Sequence, residues 1–235
     1  MAYYYYGNDG GRRGGFLSSL PPVTKNLIII NVIVFLASLL NENFMIGTFA
    51  LFYPTSQYFH WWQVITHMFM HGGFWHILFN MYTLWMFGSV LERMIGEKKF
   101  LIFYFVCGLG AVALHTGVEF LQAQGYMAAM ADGSSTAAQS YAMLKMTPTL
   151  GASGAIYGVI IGYAMLFPES RLTLLFPPVT LSAKWMVIIF AVAELLFGIT
   201  GTAVSVAHFA HLGGMLFGWL LIKYWRKKGT LFDRN

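Results

Sequence analysis

The sequence predicts an all-α fold: a polytopic membrane protein built as a bundle of six transmembrane helices. Three observations carry that prediction. Of 235 residues only 14 are Lys or Arg and 9 are Asp or Glu, 10% charged in all, where a soluble domain carries about 25%. Hydrophobic residues make up 57% and the mean hydropathy is +0.62, enough for several spans of about 20 apolar residues each. The basic residues, finally, collect on one side of the membrane once six spans are drawn. An ordinary soluble enzyme is therefore the wrong starting point. The net charge of +5 and pI near 9.3 are expected to mark cytoplasmic helix ends, with the lipid bilayer and not nucleic acid as the partner. Cys107 is the sole cysteine, so no intramolecular disulfide is possible.

The stretches without charge place the spans in order. Lys25 and Glu42 bracket LIIINVIVFLASLL, which gives a first helix over 25–41. The interval from Glu42 to Glu92 is too long for one helix and is broken by Pro54, Gly72 and Gly73, leaving a second helix at 72–91. A third follows at 99–121, a fourth at 150–167, a fifth at 182–198 and a sixth at 204–224, the last two separated by the glycines at 198 and 201. With both termini inside, every Lys and Arg except Lys145 falls on the cytoplasmic side. An odd number of spans would place one of the two terminal basic clusters outside. The expected organisation is a flexible cytoplasmic segment at 1–23, the membrane domain at 24–225 and a basic cytoplasmic tail at 226–235. LNENF after the first apolar run offers no small-residue cleavage site, so the first helix is expected to be retained rather than removed as a signal peptide. Residues 42–71 contain FALFYPTSQYFHWW, a composition suited to a structure lying in the membrane interface. Residues 122–149 are rich in Ala, Ser and Gln and are expected to form an external loop with partial helix.

Polar and reactive groups inside a bilayer are costly, so each invites a functional reading. Here they share one depth. Helices two, four and six all start at the external face in this topology. His76 and Asn80 lie in the first turns of helix two (HGGFWHILFN), Ser153 at the start of helix four (LGASGAIYG) and His211 two turns into helix six (AHFAHLGGMLFGW). Gly151, Gly154, Gly158 and Gly162 form one face of helix four, and Gly214 and Gly218 one face of helix six, in line with His211. Small residues at this spacing let membrane helices approach closely, which would bring Ser153 within hydrogen-bond reach of His211.

Serine needs a base to become a nucleophile, and histidine is the usual one. A tetrahedral oxyanion then needs donors aimed at it. His76 and Asn80, four apart and on one face, are candidates, as is the Ser153 backbone N–H at a helix start. No Asp or Glu lies at this level on helices two, four or six, which predicts a Ser–His dyad rather than a triad. Tyr157, one turn below Ser153, is placed to pack its ring on His211.

In this combination and order, HGGFWHILFN, GASGAIYG and AHFAHLGGMLFG, the chain resembles the rhomboid family of intramembrane serine proteases in its six-helix prokaryotic form, from about residue 24 to 225. The resemblance implies hydrolysis of a peptide bond in or beside the transmembrane helix of single-pass membrane protein substrates, without metal or cofactor. It also implies a bacterial cytoplasmic (inner) membrane location with the active site opening to the external side. Ser153 falls at the nucleophile, His211 at the base, His76 and Asn80 at the oxyanion site, and Tyr157 at the ring stacked on the base, with Gly151 in a supporting place. Glu92 matches a structural acid, with Arg93 and Gly96 completing the LERMIG turn. Segment 42–71 matches the membrane-lying first loop. One departure is that Gln63 follows Trp61 and Trp62 where the family often has Arg, which puts Arg-mediated anchoring of that loop in doubt.

The remaining histidines supply an alternative. His67, His71, His76 and the His208–His211 pair could be His boxes of a membrane di-iron or haem oxidoreductase, although no carboxylate accompanies them and no His-Glu-x-x-His occurs. A catalytically dead rhomboid-like binding protein is a further alternative, opposed by the presence of both Ser153 and His211. Glu194, inside helix five, is the unusual acid; it could snorkel to the interface or accept a hydrogen bond from a neighbouring helix, and a sharper expectation is that it loosens packing beside a lateral substrate entrance. His60 and His115 carry no signal.

Overall fold

The computed structural model describes residues 19–174, 178–200 and 205–233; most of the expected N-terminal segment, with Arg12 and Arg13, lies outside the described residues, as does Arg234. The chain folds as an all-α bundle. Helix α1 spans Pro22–Leu40 and a short helix, α2, spans Glu42–Phe49. A single turn, α3, covers Gln63–Thr66 and continues into a 3-10 turn at His67–Phe69. Helix α4 (Phe74–Thr83) runs through a π-helical turn at Leu84–Gly88 into α5 (Ser89–Ile95), so the second expected span is one helix with a bulge. Helices α6 (Glu97–Ala131), α7 (Ser135–Met146), α8 (Ser153–Leu166), α9 (Ala183–Thr200) and α10 (Ser205–Lys228) follow. A small antiparallel hairpin, β1 (Arg171–Thr173) and β2 (Thr180–Ser182), links α8 to α9 and was not foreseen. Among the described residues, α1, α6 and α9 are long and apolar enough to cross a membrane unaided, and α8 is a shorter apolar helix.

Two segments differ from expectation. Helix α6 does not stop at 121 but has 35 residues, about 52 Å at the usual rise. Ala, Gln and Met after Leu121 are good helix formers, so the partial helix expected at 122–149 begins as a continuation of α6 and resumes in α7. The fourth span starts later than expected: 147–152 runs without helix, and the 14 residues of α8 reach only about 21 Å. Its first helical residue is Ser153.

Close backbone contact between α8 and α10 organises the centre. A Cβ on Gly214 would sit 1.8 Å from the Gly154 carbonyl oxygen, one on Gly158 would sit 3.0 Å from the Gly214 oxygen, and one on Gly218 would sit 3.1 Å from the Gly158 oxygen. Helix α6 closes the other side, where a Cβ on Gly213 would meet the Gly110 oxygen at 2.5 Å. Of the glycine faces read from the sequence, Gly154 and Gly158 meet Gly214 and Gly218, whereas Gly162 packs on Phe103 and Leu91 and Gly151 lies ahead of α8 against His76.

At the far end of the bundle Glu92, 2% exposed, caps α1. Its carboxylate accepts from Val23 N (2.9 Å), Thr24 N (2.7 Å) and the Thr24 hydroxyl (2.7 Å). Pro21 at the N-cap has no side chain able to do this, and a negative charge suits a helix N-terminus. Glu92→Ala leaves these donors without their acceptor, at about 1–3 kcal/mol for each one that stays dry. The expected result is a fall in stability of at least about 3 kcal/mol, seen as a lowered thermal midpoint in detergent.

Candidate active site

The loop ahead of α4 is assembled around Gln63, whose side chain is fully buried. Its Oε1 accepts from His60 N (3.1 Å) and Phe52 N (3.4 Å), and its Nε2 donates to Tyr58 O (2.9 Å). A neutral amide, donor and acceptor at once, therefore ties the loop to itself without arginine. Trp62 Nε1 donates to Thr48 O at 2.8 Å. His67 Nδ1 donates to Gln63 O at 2.8 Å, which puts a proton on Nδ1. Burial holds His67 down at about 4 and His71 at about 4, the latter helped by the neighbouring His76. Below the ordinary value of 6.5 these rings protonate in the unfolded chain before they do so in the folded one. Acid therefore favours unfolding. The thermal midpoint is expected to fall as pH drops from 6.5 towards 4, and His67→Asn should flatten that slope.

The same loop positions the start of α8. Leu51 and Thr149 exchange backbone hydrogen bonds (2.8 and 2.7 Å), and Gly151 N donates to His67 O at 2.9 Å. The Thr149 hydroxyl pairs with His115 Nε2 at 2.8 Å, so His115, silent in the sequence, braces this strand from α6. Gly151 has φ +133°, a conformation L side chains rarely adopt. A Cβ there would lie 2.9 Å from His76 Cε1 and Nε2 and 3.6 Å from Ser153 Oγ. The His76 ring thus reaches over Gly151 towards the serine. Asn80, one turn further along α4, is 7% exposed, and its Nδ2 has no hydrogen-bond partner. Helix α8 has no side-chain cap; its first intrahelical bond at this end runs from Ile156 N to Ala152 O. The amides of Ser153, Gly154 and Ala155 precede it and have no helical acceptor.

Helix α10 brings His211. Ser153 Oγ and His211 Nε2 are 2.9 Å apart. The Tyr157 ring stacks on His211, centroids 4.2 Å apart and planes 9° from parallel. The structure thus gathers Ser153, His211, Tyr157, Gly151 and His76 at one level, with Asn80 one turn deeper on the His76 face. A cavity of about 40 Å³, room for roughly one water, borders Ser153, His211, His115 and Thr149.

An acid reaches this level from helix five, outside the three helices on which none was expected. Glu194 on α9 is 8% exposed, with Oε1 at 3.0 Å from His211 Nδ1 and 2.5 Å from the Tyr157 hydroxyl, and Oε2 at 2.5 Å from His208 Nδ1. It faces the core and does not snorkel; it takes hydrogen bonds from neighbouring helices, from Tyr157 on α8 and His208 on α10, which is one of the roles expected of it. The signal was in the spacing. Glu194 lies six residues before the end of α9 and His211 six after the start of α10, so antiparallel neighbours put them about 9 Å from their facing ends. Among the described residues Glu194, His208 and His211 form the one group of ligating side chains close enough for a metal, all within 4.8 Å. The 2.5 Å contact of His208 Nδ1 with Glu194 Oε2 is a hydrogen bond, shorter than the roughly 3.3 Å between ligands of a tetrahedral zinc. Among the described residues His67 and His71 do not belong to this group.

A family model described as the Rhomboid domain matches residues 58–228, most of the chain. The chain belongs to the rhomboid family. Rhomboid protein 1, mitochondrial, of Saccharomyces cerevisiae is 31% identical over 165 residues, 68% of this chain and 42% of that protein. The bovine presenilin-associated rhomboid-like protein, mitochondrial, is 31% identical over 66% of this chain and 36% of its own length. The chain thus spans well under half of these mitochondrial relatives. The rhomboid-family protein YdcA of Bacillus subtilis is 28% identical, covering 69% of this chain and 68% of its own. As a rhomboid, the chain is a multi-pass membrane protein. The rhomboid match takes in the loop around Gln63 and every residue from His76 to His211 discussed above, whereas α1 and α2 precede it.

Proposed function

We propose that the chain is an intramembrane serine endopeptidase that cuts single-pass membrane proteins in or beside their transmembrane helix, with Ser153 as nucleophile and His211 as base. The observation that carries this reading is the 2.9 Å contact between Ser153 Oγ and His211 Nε2, at the first residue of an apolar helix. Ser153 attacks the scissile carbonyl and its proton passes to His211 Nε2. The oxyanion is received by the free amides at the start of α8, by His76 and by the unpartnered Asn80 Nδ2. His211 then protonates the leaving amine, and water hydrolyses the acyl-enzyme. These side chains supply nucleophile, base and oxyanion donors, so no metal or cofactor has a step. A substrate helix must unwind locally to expose its peptide group, so helix-breaking residues at the cut are expected to speed cleavage.

The basic residues support both termini being cytoplasmic, with Ser153 opening to the external side of a bacterial cytoplasmic membrane. The organisation proposed is a membrane domain at 24–225 between cytoplasmic segments at 1–23 and 226–235.

The test is cleavage of a single-pass membrane protein by the purified chain in vesicles. The reading expects a cut in or beside the transmembrane segment that EDTA leaves unchanged. Cleavage abolished by EDTA would point to a bound metal instead.

A further inference from the structure

We propose that Glu194 is a positioning residue for His211, so that the reacting unit is a Ser153–His211–Glu194 triad drawn from three helices. The inference rests on the protease reading above and deepens it. The His211 ring is held between a hydroxyl and a carboxylate through its opposite nitrogens: Nε2 lies 2.9 Å from Ser153 Oγ, and Nδ1 lies 3.0 Å from Glu194 Oε1. A carboxylate only accepts. Its presence at Nδ1 puts the ring proton there and leaves the Nε2 lone pair facing the serine, the tautomer that general-base attack requires.

The surroundings hold the carboxylate in place. A charge in a helix as apolar as α9 needs partners, and the bonded ones all come from this site. The Tyr157 hydroxyl donates to Oε1, and His208 Nδ1 pairs with Oε2. Tyr157 acts twice, stacking its ring on His211 and bonding the oxygen that His211 faces. Among the described residues His76 approaches from α4 beside Gly151, and His67 and His115 line the same small cavity as Ser153 and His211. His211 Nδ1 makes no in-line hydrogen bond to Oε1, meeting it obliquely, and such contacts commonly tighten when substrate arrives. During the reaction the Ser153 proton moves to His211 Nε2 and then to the leaving amine. The Nδ1 proton stays on the ring, and Glu194 remains a carboxylate that stabilises the transient imidazolium.

A purely structural Glu194, tying α8, α9 and α10 together, predicts something different. The experiment is steady-state cleavage of a transmembrane substrate by full-length protein in phosphatidylcholine vesicles, with melting temperatures measured in parallel. Glu194→Gln keeps the shape but allows an N–H to face Nδ1; it is expected to lower kcat about 100-fold or more with KM within about twofold. Glu194→Asp is expected to recover at least about tenfold of that loss. Glu194→Gln cleaving at the wild-type rate, or losses in both variants that follow only the fall in melting temperature, would overturn the proposal. Nitrogen NMR of histidine-labelled wild type gives a readout independent of variant folding: His211, assigned by signal loss in His211→Gln, should carry its proton on Nδ1. A proton on Nε2 overturns the triad. Wild type that cleaves through Ser153 while Glu194→Gln is unimpaired removes only this role, whereas wild type without Ser153-dependent cleavage removes the protease reading itself.

Discussion

Ser153→Ala, His211→Ala and the double variant are expected to fall to the same floor, with cleavage lowered on the order of 10⁴- to 10⁶-fold in each. In the proposed mechanism Ser153 and His211 act as one unit. Without the base the hydroxyl does not lose its proton, and without the hydroxyl the base has nothing to activate, so the second loss adds little to the first. The 2.9 Å contact between Ser153 Oγ and His211 Nε2 is the physical basis. The measurement is single-turnover cleavage of one transmembrane substrate by the three variants. Losses that multiply in the double variant would show that the two residues act separately.

Gly214→Ala is expected to be the most damaging single methyl addition in the described chain. The new Cβ would lie 1.8 Å from the Gly154 carbonyl oxygen and 2.8 Å from the Gly154 carbonyl carbon. Both are backbone atoms, so no side chain can swing aside and α8 and α10 must move apart. Overpacking of this kind costs about 3 kcal/mol or more. It also acts on chemistry, because Gly154 adjoins Ser153 and Gly214 is three residues from His211 on one face of α10. Melting temperature and cleavage rate should both fall. Gly117→Ala on α6 is the control, since a Cβ there meets nothing within 4 Å; it is expected to match or exceed wild-type stability, alanine being the better helix former.

How much of this was legible in the sequence depended on whether the signal was periodic. Charge spacing gave the order of the helices, and glycine spacing gave the faces by which α8 and α10 meet. Those two faces brought Ser153 to His211. The partial helix expected within 122–149 is more extensive than polarity suggested: Ala, Gln and Met carry α6 on to Ala131, and α7 follows at Ser135–Met146. The late start of α8 was not legible either, because it depends on backbone bonds from Thr149 to Leu51 and from Gly151 to His67, residues far apart in the chain. Gln63 looked like a missing arginine, yet an amide that both donates and accepts suits a loop offering it N–H and C=O groups. Glu194 stood out as an acid in an apolar helix, but its partners lie on α8 and α10 and share no repeat with it. Comparing its distance from the α9–α10 connection with that of His211 would have paired them.

The central claim is that Ser153 is an activated nucleophile inside a membrane bundle. The most direct test is reaction of the purified full-length protein with a fluorophosphonate probe, followed by mass spectrometry of the labelled peptide. The account predicts one phosphonate adduct on Ser153, absent from Ser153→Ala and strongly reduced in His211→Ala. Labelling that persists in Ser153→Ala, or an adduct on another residue, would contradict it.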